Sequence, residues 1–347
     1  MDKVQGLKEY VHLDVYRHAL GLPPKVEETY EMLAQGEYNR NYVFTHPITK
    51  KKLVLRVNFG SQMHLRDQIE YEYRALKRLE SSGRTPKVLY VDGSCRYLKH
   101  GVLVMEYLPG HSMNYKTELF WGVGCLADIH SVVLEEKEQE ESEFPDRKYG
   151  LFAPENPLKA ILEECEDMFR IYEESPLGDA EKKRKIRHML DLGWESVDSL
   201  PRAPYKCCIN TELNSTNFLI NGEEGGNYLV DWEKPLYGDP AQDLGHFLAP
   251  TTTFWKTDVI LTKEQVHMFL AAYKEAVAGR FDVSGLEMRT EIYIPITCLR
   301  GITWCAMAWV QYQEPGKELV NESTWKKLEA YLEESFLDKI KKEYLQA

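Results

Sequence analysis

Short apolar runs dominate the first third of the chain, and helical spacing takes over afterwards. Leu33-Ala34-Gln35-Gly36-Glu37-Tyr38-Asn39-Arg40-Asn41-Tyr42-Val43-Phe44 has a turn-rich start and an apolar exit, which suits a strand, a loop at Gly36 and a second strand. Lys52-Leu53-Val54-Leu55-Arg56-Val57 is a β-rich run with a cation inside it. Ile69, Tyr73, Leu76 and Leu79 recur at helical spacing and predict a helix over 63–80. From Gly101 to Gly110 an apolar stretch reads as a buried strand ended by a Pro-Gly turn.

Beyond Pro109 the pattern is mostly helical. Ile161, Leu162, Cys165, Met168, Phe169 and Tyr172 share one helical face, as do Ile186, Met189, Leu190, Val197 and Leu200, so the two segments read as an antiparallel helical pair. Val266, Phe269, Leu270, Tyr273 and Val277 mark another helix. Trp325, Leu328, Tyr331, Leu332 and Phe336 mark a last one, with Ser323 or Thr324 as its cap. The acidic run from Glu135 to Glu143 reads as a solvated helix end or loop. The expectation is an α+β fold, with a small β-rich lobe over 1–109 and a larger, mainly helical lobe over 110–347.

One break in the helical half carries chemistry. Phe218-Leu219-Ile220 and Tyr228-Leu229-Val230 are two short strands around a glycine-rich turn at 222–226, and Asp231 stands at the tip of the second. Asn217 immediately precedes the first strand, and Glu212 lies five residues before it. A carboxylate and an amide oxygen on short rigid elements suit a hard divalent cation such as Mg2+.

These residues carry a resemblance to the aminoglycoside phosphotransferase and choline kinase family, relatives of the protein kinases. That family reads H-G-D-x-x-x-x-N, then I-D-W-E, then G-D-P-x-x-D-L. This chain reads Asn210-Thr211-Glu212 through Asn217, then Val230-Asp231-Trp232-Glu233, then Gly238-Asp239-Pro240-Ala241-Gln242-Asp243-Leu244. The second and third blocks agree, whereas the first departs at the histidine and at the aspartate. The resemblance implies a two-lobed protein-kinase-like fold that binds ATP or GTP with Mg2+ and phosphorylates a hydroxyl of a small molecule. It implies Glu212 as catalytic base and Asn217 and Asp231 as metal ligands. Arg56 and Glu72 would form the ion pair that orients the phosphates, Gly36 would lie in the loop over them, and the backbone of Glu106, Tyr107 and Leu108 would meet the adenine. Asp239 and Asp243 match residues that brace the catalytic loop. Glutamate in place of aspartate adds about 1.5 Å of reach, from standard bond lengths. That change keeps two alternatives open: a nucleotide-binding pseudokinase with a regulatory role, and a kinase-fold enzyme acting on protein.

Composition removes other classes. The 347 residues suffice for two lobes, and the net charge of -12 disfavours nucleic acid as a partner while suiting a positively charged acceptor. Seven scattered cysteines form no C-x-x-C pair, which argues against a zinc site or a disulfide framework. No apolar run approaches the length of a membrane span and no leader pattern follows Met1, so the expected location is the cytoplasm and no membrane partner is expected. Phe254, Trp255, Trp304, Trp309 and Tyr312 are aromatic enough to enclose an ammonium group, although tryptophans on an apolar helix are more often core. The acceptor's identity and the oligomeric state stay open.

Overall fold

The runs of the first third become a five-stranded antiparallel sheet of β1 (Glu31–Gln35), β2 (Asn39–Thr45), β3 (Lys52–Asn58), β4 (Val88–Asp92) and β5 (Gly101–Glu106). Their spatial order is β1-β2-β3-β5-β4. This computed structural model describes residues 4–36, 38–135, 147–223, 225–313 and 322–346. The acidic run at 136–143, together with Glu37 and Glu224 of the two predicted turns, lies outside the described residues.

Side chains along a strand alternate between faces, and β3 uses this fully. Leu53, Leu55 and Val57 join Tyr42, Phe44, Val102 and Val104 in a core that packs under two short helices, α1 (Leu7–Tyr10) and α2 (Asp14–Leu20). Val54 and Arg56 consequently face the other way, where α3 (Gln68–Leu79) lies against β4 and β5. The sequence reading contained neither α1 nor α2, whose stretches are too short for periodicity to register.

The helix predicted over 63–80 begins only at Gln68. Upstream, the Ser61 hydroxyl accepts the Met63 and Leu65 amides (3.1 and 2.9 Å), and His64 sits at φ 57°, which turns the chain away from helix. The helix is then clamped in place. Arg147, stacked over Tyr71 and Phe152, makes a two-pronged ion pair with Asp67 (2.8 and 3.0 Å), and Arg74 also reaches Asp67.

Two compact units make up the chain. The first comprises Met1–Met113, Trp121–Ala153 and Asn217–Tyr237, and the second Asn114–Phe120, Pro154–Thr216 and Gly238–Ala347. The first unit therefore gathers, besides the sheet, α4 (Trp121–His130) and the hairpin of Phe218–Ile220 with Tyr228–Leu229. That hairpin also pairs with His111–Ser112, and Gly110 packs so tightly on Leu219 that a Cβ would come within 2.9 Å of it.

The second unit is helical. The expected pair appears as α5 (Pro157–Glu174) and α6 (Ala180–Glu195), capped by Asn156 and Asp179, although α6 ends before Ser196, whose amide closes on the Gly193 carbonyl, and leaves Val197 and Leu200 outside the helix. Asp239 caps α7 (Pro240–Leu248), and α8 (Pro250–Thr257) follows. A capping box at Thr262 and Gln265 starts α9 (Lys263–Ala276). The 26-residue α10 (Leu286–Gln311) runs through the unit's core and packs on α5 and α7. The last predicted helix is two, α11 (Glu322–Tyr331) and α12 (Glu334–Ile340), because Glu333 takes an extended conformation between them. Ser323 and Thr324 fall inside α11 rather than before it. Among the described residues, no helix is long and apolar enough to cross a membrane.

Candidate active site

Because β3 turns Arg56 away from the apolar core, its guanidinium must find partners. It meets Glu72 of α3 in a buried ion pair, donates to Asn41 Oδ1 at 3.0 Å and reaches Asp231 Oδ1 at 3.1 Å. Glu233 lies 4.0 Å away. Burial opposes the Arg56 charge, yet Glu72, Asp231 and Glu233 overcome it and raise its pKa. Three carboxylates around one cation leave a surplus of negative charge. The Glu233 carboxyl shows the consequence: burial first, then Asp231, push it up to about 8 against the pull of Arg56. Burial likewise raises the Glu72 carboxyl, with Arg56 opposing.

The segment after Asp231 is tied to α3 as well. Gln68 donates to the Glu233 carbonyl (2.7 Å), Tyr71 to that of Pro235, and Asn39 of β2 to the Glu233 carboxylate. Asp231 itself holds φ +67°, a left-handed conformation that aspartate tolerates better than most residues. Its side chain stays 37% exposed, so a polar ligand can reach it.

These groups open onto a cavity of about 400 Å³, within the usual range for small-molecule sites. Arg56, Glu72, Asp231 and Asn41 supply its polar end, and Val54, Leu76, Met105 and Trp232 supply apolar wall. Glu106, Tyr107 and Leu108 form another wall. The Glu106 and Tyr107 amides donate to the Lys87 and Lys52 carbonyls (2.8 and 3.2 Å). That leaves Leu108 as the amide of this wall without a backbone carbonyl partner among the described residues.

Six of the residues singled out in the sequence thus line one cavity. Asn217 does not line it, but it stands beside Asp231, its carbonyl accepting the Val230 amide at 2.9 Å at the mouth of the hairpin. Gly36 is outside too: it is exposed, and its amide closes the β1–β2 turn on the Asn39 carbonyl (2.9 Å). Leu33 and Ala34 of β1 and Asn41 of β2 are the residues of that hairpin that reach the cavity. Among the described residues, no group of three or more His, Cys, Asp or Glu side chains could hold a metal ion alone. A Mg2+ held by one or two protein oxygens and by phosphate needs no such group.

Glu212 belongs to the second unit. Its loop is fixed through the backbone, since Asp243, fully buried, accepts the Asn210 and Thr211 amides (2.8 and 2.7 Å), and the Asn210 side chain accepts the Glu212 amide (3.0 Å). Asp243 therefore braces the loop as the resemblance implied. Asp239 accepts instead from Ala241 and from the buried Arg289 (2.9 and 2.6 Å). The Glu212 side chain meets Arg300 of α10 (3.1 Å), which also holds Glu164 of α5. Sequence reading gave neither Arg300 nor Glu164 a role; the available signal was an arginine between Ile292 and Gln311, a stretch of α10 with no other charged residue. One turn beyond Arg300, Trp304 packs edge-on against Trp255 at 5.2 Å, both partly buried.

The architecture and the site together define a two-lobed protein-kinase-like fold. It is similar to choline kinase from Cryptosporidium parvum Iowa II, with a TM-score of 0.64 and 14% identity over 98% of this chain and 96% of that one. A spectinomycin phosphotransferase solved with ADP and spectinomycin gives a TM-score of 0.63 and 13% identity, covering 99% of each chain. Ethanolamine kinase from Plasmodium vivax gives 0.59 and 15%, over 90% of this chain and 83% of that one. No curated protein sequence matches. The model of the phosphotransferase enzyme family matches residues 29–285, and the chain belongs to that family. It is a phosphotransferase enzyme.

Proposed function

We propose that this protein transfers the γ-phosphoryl group of ATP to a hydroxyl of a small molecule in the presence of Mg2+. The observation that carries the reading is one cavity lined by Arg56, Glu72, Asp231 and residues Glu106, Tyr107 and Leu108. Its polar end pairs a cation with surplus carboxylate, and its far wall offers an amide to a flat heterocycle. In this reading Leu108 donates to the adenine edge, and Arg56, held by Glu72, orients the α- and β-phosphates. The hard-oxygen donors fit Mg2+: Asp231 and Asn217 would hold it, and the ion would supply charge neutralisation at the phosphates.

Glu212 takes the hydroxyl proton as that oxygen bonds to the γ-phosphorus and the bond to the leaving ADP breaks. The acceptor is a small hydroxylated compound for which a positive charge is favourable. Glu164 and Glu212 place two carboxylates in this part of the second unit, and the whole chain carries -12. The similar proteins named for choline, ethanolamine and spectinomycin support the same class. The test is ADP release by the purified protein with Mg2+ and ATP, across a panel of amino alcohols, aminocyclitols and aminoglycosides. ADP release that depends on one acceptor is expected. Failure to bind ATP at all, measured calorimetrically, would overturn the assignment of the cavity.

A further inference from the structure

The loop that carries Glu212 is held through its backbone by Asp243 and Asn210, but those bonds leave the longer glutamate side chain to be positioned by something else. A glutamate has one more rotatable bond than an aspartate, and a base that wanders by an ångström loses much of its rate. We propose that Arg300 is the positioning residue that makes glutamate workable as the base. This inference rests on the reading of Glu212 as proton acceptor.

Arg300 rises from the long central helix with its side chain only 16% exposed. Its Nε donates to Glu164 Oε2 at 3.1 Å, and its Nη2 donates both to Glu164 Oε1 at 3.2 Å and to Glu212 Oε1 at 3.1 Å. The planar fork is thus fixed on one side by α5 and holds the Glu212 carboxylate on the other, a geometry that lysine cannot copy. Glu164 takes two of the five guanidinium N–H groups, which is enough to join α5 to α10, and a third is spent on the Glu212 carboxylate. Arg300 acts through Glu212 and takes no proton itself.

The experiment is a double-mutant cycle on single-turnover phosphoryl transfer, using the acceptor that supports turnover, or water where none of the panel does. Arg300→Met is expected to lower kcat by about tenfold to a hundredfold, with the ATP KM within about twofold of wild type. Arg300→Lys, which keeps the charge and fills much of the space, is expected to recover part of that loss. In a Glu212→Gln background Arg300→Met is expected to change the rate by less than about twofold, because the group it positions has gone. An equal loss in both backgrounds, or a raised acceptor KM with kcat unchanged, would overturn the inference and make Arg300 a structural or acceptor-binding residue. The two readings fail separately. If Glu212→Gln by itself leaves kcat unchanged, Glu212 is not the base and Arg300 has nothing to position.

Discussion

Asp243 accepts the Thr211 amide at 2.7 Å, and Thr211 holds it there from a backbone at φ +67°. A β-branched residue seldom takes that left-handed conformation, and the family pattern has glycine at this position. The strain persists because the buried carboxylate draws in two successive amides, those of Asn210 and Thr211. The loop's shape therefore depends on an acceptor outside it. Asp243→Asn, which retains one acceptor oxygen and sets an amide donor against the second N–H, is expected to cost about 2–3 kcal/mol in chemical denaturation. It should also lower kcat more than it changes the ATP KM.

Arg56 reaches Glu72, Asp231 and Glu233 with one guanidinium. Removing it leaves buried carboxylates uncompensated. Arg56→Met should therefore destabilise the nucleotide-free protein by about 3 kcal/mol, read from the denaturation midpoint. Glu72→Gln, which removes one of the crowded charges but keeps an acceptor for the guanidinium, should cost clearly less.

Asp231 separates binding from folding. Asparagine tolerates the same left-handed backbone, and the native side chain is more than a third exposed, so Asp231→Asn should shift stability by less than about 1 kcal/mol. The tightening of ATP binding by Mg2+, measured by titration with and without EDTA, should nevertheless fall by about tenfold or more.

Much of the first unit could be read in advance, because its chemistry follows period two. The β-rich run from Lys52 to Val57 stands out with Arg56 inside it, and in β3 the alternation that buries Leu53, Leu55 and Val57 turns Arg56 to the other face. The Asp231 hairpin was equally legible from two apolar triplets around a glycine-rich turn. Arg300 was not legible: it lies 88 residues from Glu212, and only tertiary packing brings α10 to that loop. Gly36, which the resemblance puts in the loop over the phosphates, lies in the exposed β1–β2 hairpin turn, as its glycine and turn-rich surroundings suggest. The N-terminal helices escaped because α1 has four residues and α2 seven, too few for a helical period to stand out.

Asp67 carries the pH dependence of α3. Burial works against its charge, but the two arginines, Arg147 foremost, prevail and hold its carboxyl below the ordinary value of 3.8. A depressed folded pKa contributes stability that is complete above the unfolded value and is lost as pH falls through the folded one. Asp67→Asn should accordingly cost about 1–2 kcal/mol at pH 7 and progressively less below pH 4. Urea titrations at a series of pH values would show the two proteins converging in acid.

The central claim is that Glu212 acts as base for phosphoryl transfer to a small hydroxylated acceptor. Its most direct test follows ATP, Mg2+ and the acceptor panel by phosphorus NMR with wild-type protein and with Glu212→Gln. A new phosphomonoester signal growing with ADP, and slowed by about a hundredfold or more in the variant, is the result expected. A phosphomonoester formed equally fast by Glu212→Gln, or ATP bound without any phosphoryl transfer across the panel, would contradict it.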